Sequence, residues 1–492
     1  MSLIRLPDPD REIMGRREKI TADLIAIAGR EAVISDEDGR RAFDTDALTS
    51  YRRMPLAVVL PETTQAVANV MRYCHANGIK VIARGAGTSL AGGALPAEDA
   101  IVIGISKMNR VLDINYAGRS MRVESGITNV AITAAVSPEG FFYAPDPSSQ
   151  LACTLAGNLG MNSGGAHCLK YGVTTNNVLG LRMVLMTGEI IDVGGPYVDA
   201  AGYDLLSLII GSEGQMGIIT EATVRIIKAA EGARPMLLGF DSSEAAGRCV
   251  AAIIASGIIP VAIEFMDRPA IVVCEDYAKA GYPLDVEALL IIEVEGSEAE
   301  ISERLQQMLD LAKPFRPTTH TISASADQSA KIWKGRKSAF GALGRISDYY
   351  CMDGTIPLGR LSEVLTAISQ ICTGYGLRVA NIFHAGDGNL HPLIMFDAND
   401  PASEQRAEKA GADILALCVE VGGCLTGEHG VGIETRDLMT KQFTDVDLDV
   451  QMRLKTVFDP GWLLNPAKVF PLDARIMAEI PERTTKGVRA AA

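Results

Sequence analysis

Residues 57–89 read AVVLPETTQAVANVMRYCHANGIKVIARGAGTS, and this stretch decides the fold. Ala57 to Leu60 is a short apolar run of strand type. From Thr63 to Asn77 the residues Val67, Val70, Met71 and Cys74 fall on one face of a helix, and Asn77-Gly78 is a helix stop. Ile79 to Ala83 is a second strand. The β-α-β unit ends in Arg84-Gly85-Ala86-Gly87-Thr88-Ser89. Backbone N–H groups of a glycine-rich turn after a strand can cradle a diphosphate, although one such turn reads equally well as a plain loop. It is not an NTPase phosphate loop, because no Gly-Lys-Ser/Thr follows. It is not a dinucleotide fingerprint either, since Leu90 stands at the third glycine position.

Outward from this unit, strands are expected at 101–105, 111–114 and 121–124 and a helix at 128–136, with a hairpin at 178–193 around Thr187-Gly188. Two more glycine-rich regions lie between these elements and a strand at 218–226. One is Pro145-Asp146-Pro147-Ser148-Ser149 followed by Gly157-Asn158-Leu159-Gly160-Met161-Asn162-Ser163-Gly164-Gly165. The other is Gly211-Ser212-Glu213-Gly214-Gln215-Met216-Gly217. Three glycine loops in one domain point to an extended ligand with a diphosphate and flat rings, which FAD fits better than a mononucleotide.

The second half alternates strands at 236–240, 261–265, 289–294, 348–352, 378–383 and 390–396 with helices at 243–255, 299–312, 326–339, 361–373 and 403–421. That pattern implies an α+β domain with an antiparallel sheet covered by helices. The expected division is a lead-in at 1–50, a nucleotide domain at 51–228, a second domain at 229–445, a C-terminal segment at 446–471 and a polar tail at 472–492.

A net charge of −14 argues against a nucleic-acid partner and obliges any anionic substrate to find a local cation. The nine cysteines are scattered without a Cys-x-x-Cys pair, so no iron–sulfur cluster or cysteine zinc site is indicated. Those cysteines and the lack of a signal peptide fit the cytoplasm. The longest apolar run, 250–263, is too short to span a bilayer, so any membrane association would go through a partner.

The sharpest chemistry lies later. His384 and His391 flank Gly386-Asp387-Gly388-Asn389, and Glu428-His429 sits within Thr426-Gly427-Glu428-His429-Gly430, so three of six histidines occupy two glycine-framed loops. Two histidines and a carboxylate make an open site for zinc or a similar divalent ion. Hydrogen-bonded core histidines are the alternative. Trp333-Lys334-Gly335-Arg336-Lys337 serves either a solvated helix face or a carboxylate clamp. His75 and His320 carry no partner pattern. His167 fits a structural role as well as a functional one.

Taken together, these segments resemble the FAD-binding domain of the vanillyl-alcohol oxidase and p-cresol methylhydroxylase superfamily. The His384 to His391 motif, Gly427-Glu428-His429-Gly430 and Leu464-Asn465-Pro466-Ala467-Lys468 resemble its D-2-hydroxy-acid dehydrogenase branch, over roughly residues 45–471. The resemblance implies a two-subdomain FAD-binding domain plus an α+β cap. It implies noncovalent FAD, since relatives that tether the flavin carry a His where this chain has Thr88. FAD contacts are expected from Arg84, Gly85, Ala86, Gly87, Thr88, Ser89, Pro145, Asp146, Thr154, Gly157, Asn158, Ser163, Gly164, Tyr171, Glu213, Gly217, Ile219 and Asn465. By the same resemblance His384, His391 and Glu428 would hold a metal, His429 would be the catalytic base, Arg336 would clamp the substrate carboxylate, and Lys468 would join Asn465 in closing the flavin site. Tyr349-Tyr350-Cys351-Met352-Asp353-Gly354-Thr355-Ile356-Pro357 resembles the glycolate oxidase branch. The hydroxyglutarate branch has a lysine where Cys351 stands, which favours a monocarboxylate such as glycolate or D-lactate over D-2-hydroxyglutarate. The resemblance also implies an iron–sulfur electron-transfer partner, although relatives that act alone exist, and a cytoplasmic location that such a partner could bring to the inner membrane. A metal-dependent hydrolase and a noncatalytic oxidase subunit remain the competing readings.

Overall fold

The computed structural model describes residues 4–197 and 202–472. The chain forms two compact units. The first takes in Ile4–Ser163, Val173–Lys228 and, among the described residues, 429–472. The second takes in Gly164–Gly172 and Ala229–Glu428.

The first unit carries the β-α-β segment. Strands Ala57–Val59 and Lys80–Arg84 lie parallel on either side of Ala100–Gly104, and Val33–Ile34 adds an antiparallel edge. The connecting helix, Thr64–Ala76, starts where the Thr63 side chain accepts from Ala66 N–H and stops at Asn77. Its apolar face, Val67, Val70, Met71 and Cys74, is fully buried. Against that core pack Ile13, Ile20 and Leu24 from the N-terminal segment, so residues expected as a lead-in are part of the domain core. A second, five-stranded antiparallel sheet runs in the order Val111–Asn115, Ser120–Glu124, Ile218–Arg225, Val178–Val184, Ile190–Gly194. Helix Asp445–Phe458, which the sequence pattern did not announce, leads to the C-terminal strip, where Asn465 N–H donates to Val81 C=O at 2.7 Å.

The second unit is a seven-stranded antiparallel sheet with helices, in the order Thr319–Ile322, Gly232–Phe240, Ala288–Gly296, Ala262–Asp267, Arg378–His384, Pro392–Phe396, Asp348–Cys351. Among the elements not anticipated are the edge strand Thr319–Ile322 and helix Arg268–Ala278, which is started by an Asp267 N-cap and Pro269. The helix expected at 326–339 is broken at Ser338 into Ala326–Lys337 and Ala339–Gly344. This unit closes at Glu428 rather than near 445, and it recruits Gly164–Gly172 through side chains. His167 Nε2 lies 3.0 Å from Glu293, Trp333 Nε1 donates to the other Glu293 oxygen at 2.6 Å, and Lys170 and Tyr171 bond Glu295. The tail expected at 472–492 lies outside the described residues apart from its first position.

Candidate active site

In the first unit the glycine loops meet. Gly85 faces Thr154 and Gly157, and a Cβ on it would stand 2.4 Å from Thr154 Oγ1 and 3.1 Å from Gly157 N. Only glycine lets the Arg84–Ser89 turn come this close to the start of helix Leu155–Met161, which Thr154 caps. The third loop joins them through Glu213 N–H, which donates to Gly160 C=O at 2.8 Å. Asn465 bridges the set: its side-chain amide donates to Gly93 C=O at 3.1 Å and to Glu213 C=O at 2.6 Å. Half-buried glycine loops, with an amide bracing them, suit an extended diphosphate ligand such as FAD.

Individual expected contacts sort as follows. Arg84 is buried and donates to Thr45 C=O at 2.7 Å. Ser89 Oγ donates to His429 C=O at 3.3 Å, and Lys468 Nζ bonds Asn465 Oδ1. The Pro145 carbonyl accepts from Asn129, the Ser163 carbonyl from Thr174, and the Ile219 carbonyl from Ser125. Glu213 accepts Val431 N–H at 2.7 Å and Gly432 N–H at 2.8 Å. Burial pushes its carboxyl up to about 7 against those two bonds and nearby Lys468, while burial brings Lys468 down to about 7 against Asp46 and Glu213. Gly164 and Tyr171 belong to the other unit, where Tyr171 bonds Glu295.

In the second unit the two histidines converge. His384 ends the strand Arg378–His384, an isolated bridge pairs it with Asn389 across the Gly386–Gly388 turn, and His391 immediately precedes the return strand Pro392–Phe396. The turn thereby puts both imidazoles on Glu428. His391 Nε2 lies 3.1 Å from Glu428 Oε1 and His384 Nε2 lies 3.5 Å from the same oxygen. Asp353 holds the Glu428 loop in place. Its Oδ2 accepts Thr426 Oγ1 at 2.5 Å and the N–H groups of Gly427 and Glu428 at 2.9 Å each. Gly427 packs directly against the Asn389 side chain, where a Cβ would lie 2.3 Å from Oδ1 and force that amide to shift.

Asp353, His391 and Glu428 also offer ligand atoms within 4.8 Å of one another. Among the described residues neither His384 Nε2 nor Glu428 Oε2 has a hydrogen-bond partner, although both atoms are buried. Two imidazole nitrogens that each face the same carboxylate oxygen are donor types that a divalent ion takes. Burial pushes the Glu428 carboxyl up, but His384 and His391 outweigh it and hold it well below the usual carboxylate range.

Arg336 is 3% exposed, so it does not belong to a solvated face, whereas Lys337 beside it is exposed. Its Nε lies 2.6 Å from Glu264 Oε2, a close ion pair off the hydrogen-bond angle. Glu264 Oε1 lies 2.8 Å from His384 Nδ1. Burial raises the Glu264 carboxyl, yet Arg336 and His384 bring it below its ordinary value. Conversely, burial lowers the His384 imidazole, but Glu264 and Glu428 raise it well above the ordinary value. Glu264 was missed because it hides in the apolar run Val261–Phe265. Its signal was being the lone carboxylate there, since a buried charge requires a partner. His75 and His320 are exposed, and none of the nine cysteines, all among the described residues, is joined in a disulfide.

A model of the FAD binding domain matches residues 55–194, and one of the C-terminal domain of FAD linked oxidases matches residues 230–469. The glycolate oxidase subunit GlcD of Escherichia coli is 45% identical, over 95% of this chain and 92% of that protein. GlcD of Bacillus subtilis is 36% identical over 93% of this chain and 97% of its own length. A D-lactate dehydrogenase of Archaeoglobus fulgidus is 31% identical over 89% and 96%. Among solved structures, 4-ethylphenol oxidase from Gulosibacter chungangensis superposes with a TM-score of 0.79 at 16% identity, covering 96% of this chain and all of that one (100%). p-Cresol methylhydroxylase gives 0.78 at 15% identity, covering 93% and 98%. These two share the p-cresol methylhydroxylase type of fold. With both domain models matched and GlcD similar over nearly its whole length, the chain belongs to the FAD-linked oxidases and is an FAD-linked oxidoreductase of the GlcD-containing family.

Proposed function

We propose that the chain oxidises a small D-2-hydroxy acid, glycolate or D-lactate, to the 2-oxo acid, using noncovalent FAD and a divalent ion held by His384, His391 and Glu428. The observation that carries this reading is the convergence of two buried imidazoles on one buried carboxylate. The names of the relatives, glycolate oxidase subunit and D-lactate dehydrogenase, support the substrate class. FAD, when bound, supplies the hydride acceptor. A divalent ion would make the substrate's α-hydroxyl more acidic, in the sense in which bound water falls from a pKa of 15.7 to about 7. Arg336 holds the substrate carboxylate with the edge of its guanidinium that Glu264 leaves open. His429, next in the chain after Glu428, takes the hydroxyl proton, a task suited to imidazole at neutral pH. With no Cys-x-x-Cys pair of its own, the chain passes electrons to an external acceptor, for which an iron–sulfur partner subunit is the candidate.

The test separates the two roles. His384→Ala or His391→Ala should give a folded, yellow, metal-poor protein with little turnover. His429→Gln should keep metal and flavin while anaerobic flavin reduction slows by about 10²–10⁴-fold, the usual worth of a general base. Metal content by mass spectrometry and single-turnover flavin reduction are the readouts. Histidine-turn variants that keep full metal and activity would contradict the metal site. A His429→Gln protein that loses its metal would make His429 a ligand instead.

A further inference from the structure

Glu264 lies on the central strand Ala262–Asp267 with a fully buried side chain, and the sheet register makes it the direct cross-strand partner of His384. Its two oxygens go to different groups. Oε1 is 2.8 Å from His384 Nδ1, and Oε2 is 2.6 Å from Arg336 Nε. We propose that Glu264 is a positioning residue whose single carboxylate fixes both the metal ligand His384 and the substrate clamp Arg336. The inference rests on the metal site and clamp proposed above, and it adds what orients them.

The physical case has three parts. An anion buried in an apolar strand is unfavourable unless it is paired, and here the pairing is divided between two groups that each have a free side. First, a carboxylate at Nδ1 holds the Nδ1–H of His384, so that Nε2 is the nitrogen at which a metal ion would replace a proton. That Nε2 is the atom facing Glu428 Oε1. His391 follows the same pattern with a backbone acceptor, its Nδ1 lying 3.3 Å from Met352 C=O while Nε2 faces Glu428. Second, the guanidinium is a rigid planar fork, so anchoring Nε fixes the direction of the rest. Arg336 Nη2 is buried and has no hydrogen-bond partner among the described residues, which leaves that edge for a second carboxylate. Third, one carboxylate touching both groups ties their spacing together. A displaced Glu264 would disturb the ligand and the clamp at once.

The experiment measures metal affinity of the FAD-loaded protein by competition for Zn²⁺ with a chelating dye, alongside KM and kcat for glycolate and D-lactate. Loss of such an outer partner of a ligand typically weakens metal binding by about 10–100-fold. Glu264→Gln should show that loss together with a raised KM. Arg336→Met should raise KM and leave zinc affinity unchanged, because the Glu264 to His384 contact survives. If Glu264→Gln fails to fold with Arg336 left unpaired, the double variant Glu264→Gln/Arg336→Met removes both buried charges and should bind zinc as weakly as the single variant. A purely structural Glu264 would lower thermal stability and leave the zinc affinity and KM of folded protein unchanged, which overturns the inference. Wild-type protein that takes up no metal would overturn the metal-site reading itself. Wild-type protein that binds zinc, beside a Glu264→Gln or double variant of equal affinity, overturns the Glu264 inference alone.

Discussion

Arg336 brings a fixed positive charge into a chain of net charge −14, and it does so from inside the protein at 3% exposure. Its pairing with Glu264 balances that charge, so a carboxylate clamp of the kind proposed would work by geometry as much as by attraction. Losing a charge-assisted hydrogen bond costs about 1.5–3 kcal/mol, so Arg336→Met should raise KM roughly ten- to a hundredfold. Flavin content should not change, because Arg336 and the glycine loops belong to different units. Steady-state kinetics with glycolate or D-lactate check this. An unchanged KM would move the clamp elsewhere, although Lys337, the next cation in the sequence, is exposed. Sequence alone left Arg336 divided between a solvated face and a clamp, since the helix pattern at 333–337 is the same for both. Burial removed the first alternative. The partner could not be read from sequence spacing, because Glu264 and Arg336 meet only through the sheet and the helix Ala326–Lys337.

At the scale of elements, the site is built from turns that bring strand ends together. The Gly386–Gly388 turn was legible as a converging device because it is local, with the two histidines seven residues apart on its flanks. The glycine loops of the first unit were legible as sites of close approach for a similar reason, since their composition marks it. What was not legible is which loop touches which. Gly85 against Thr154 and Asn465 against Glu213 are contacts between distant segments, and no local periodicity encodes them. Gly85→Ala offers the test of this packing, since the added methyl would collide with the Thr154 hydroxyl and the Gly157 backbone. The variant should be purified with markedly less flavin than wild type. Acid precipitation of wild type should release all its colour to the supernatant, as expected for Thr88 in place of a tethering histidine. Full flavin occupancy in Gly85→Ala would show that the loop tolerates a shift.

Over the whole molecule, the sequence pattern sets a boundary near residue 228 within its division into five segments, and the units change at Lys228–Ala229. The units change again between Glu428 and His429, whereas the sequence division ends its second domain at 445. The excursion Gly164–Gly172 was also hidden, since its docking depends on Glu293 and Glu295 more than a hundred residues away. No helix among the described residues is long and apolar enough to cross a membrane. The central claim, oxidation of a small D-2-hydroxy acid by FAD, is tested most directly by adding D- and L-2-hydroxy acids to the metal-replete yellow protein under anaerobic conditions and following flavin absorbance. The account predicts rapid bleaching by glycolate or D-lactate, little by L-lactate, and a slower or weaker response to D-2-hydroxyglutarate. Flavin that stays oxidised with every D-2-hydroxy acid would contradict it.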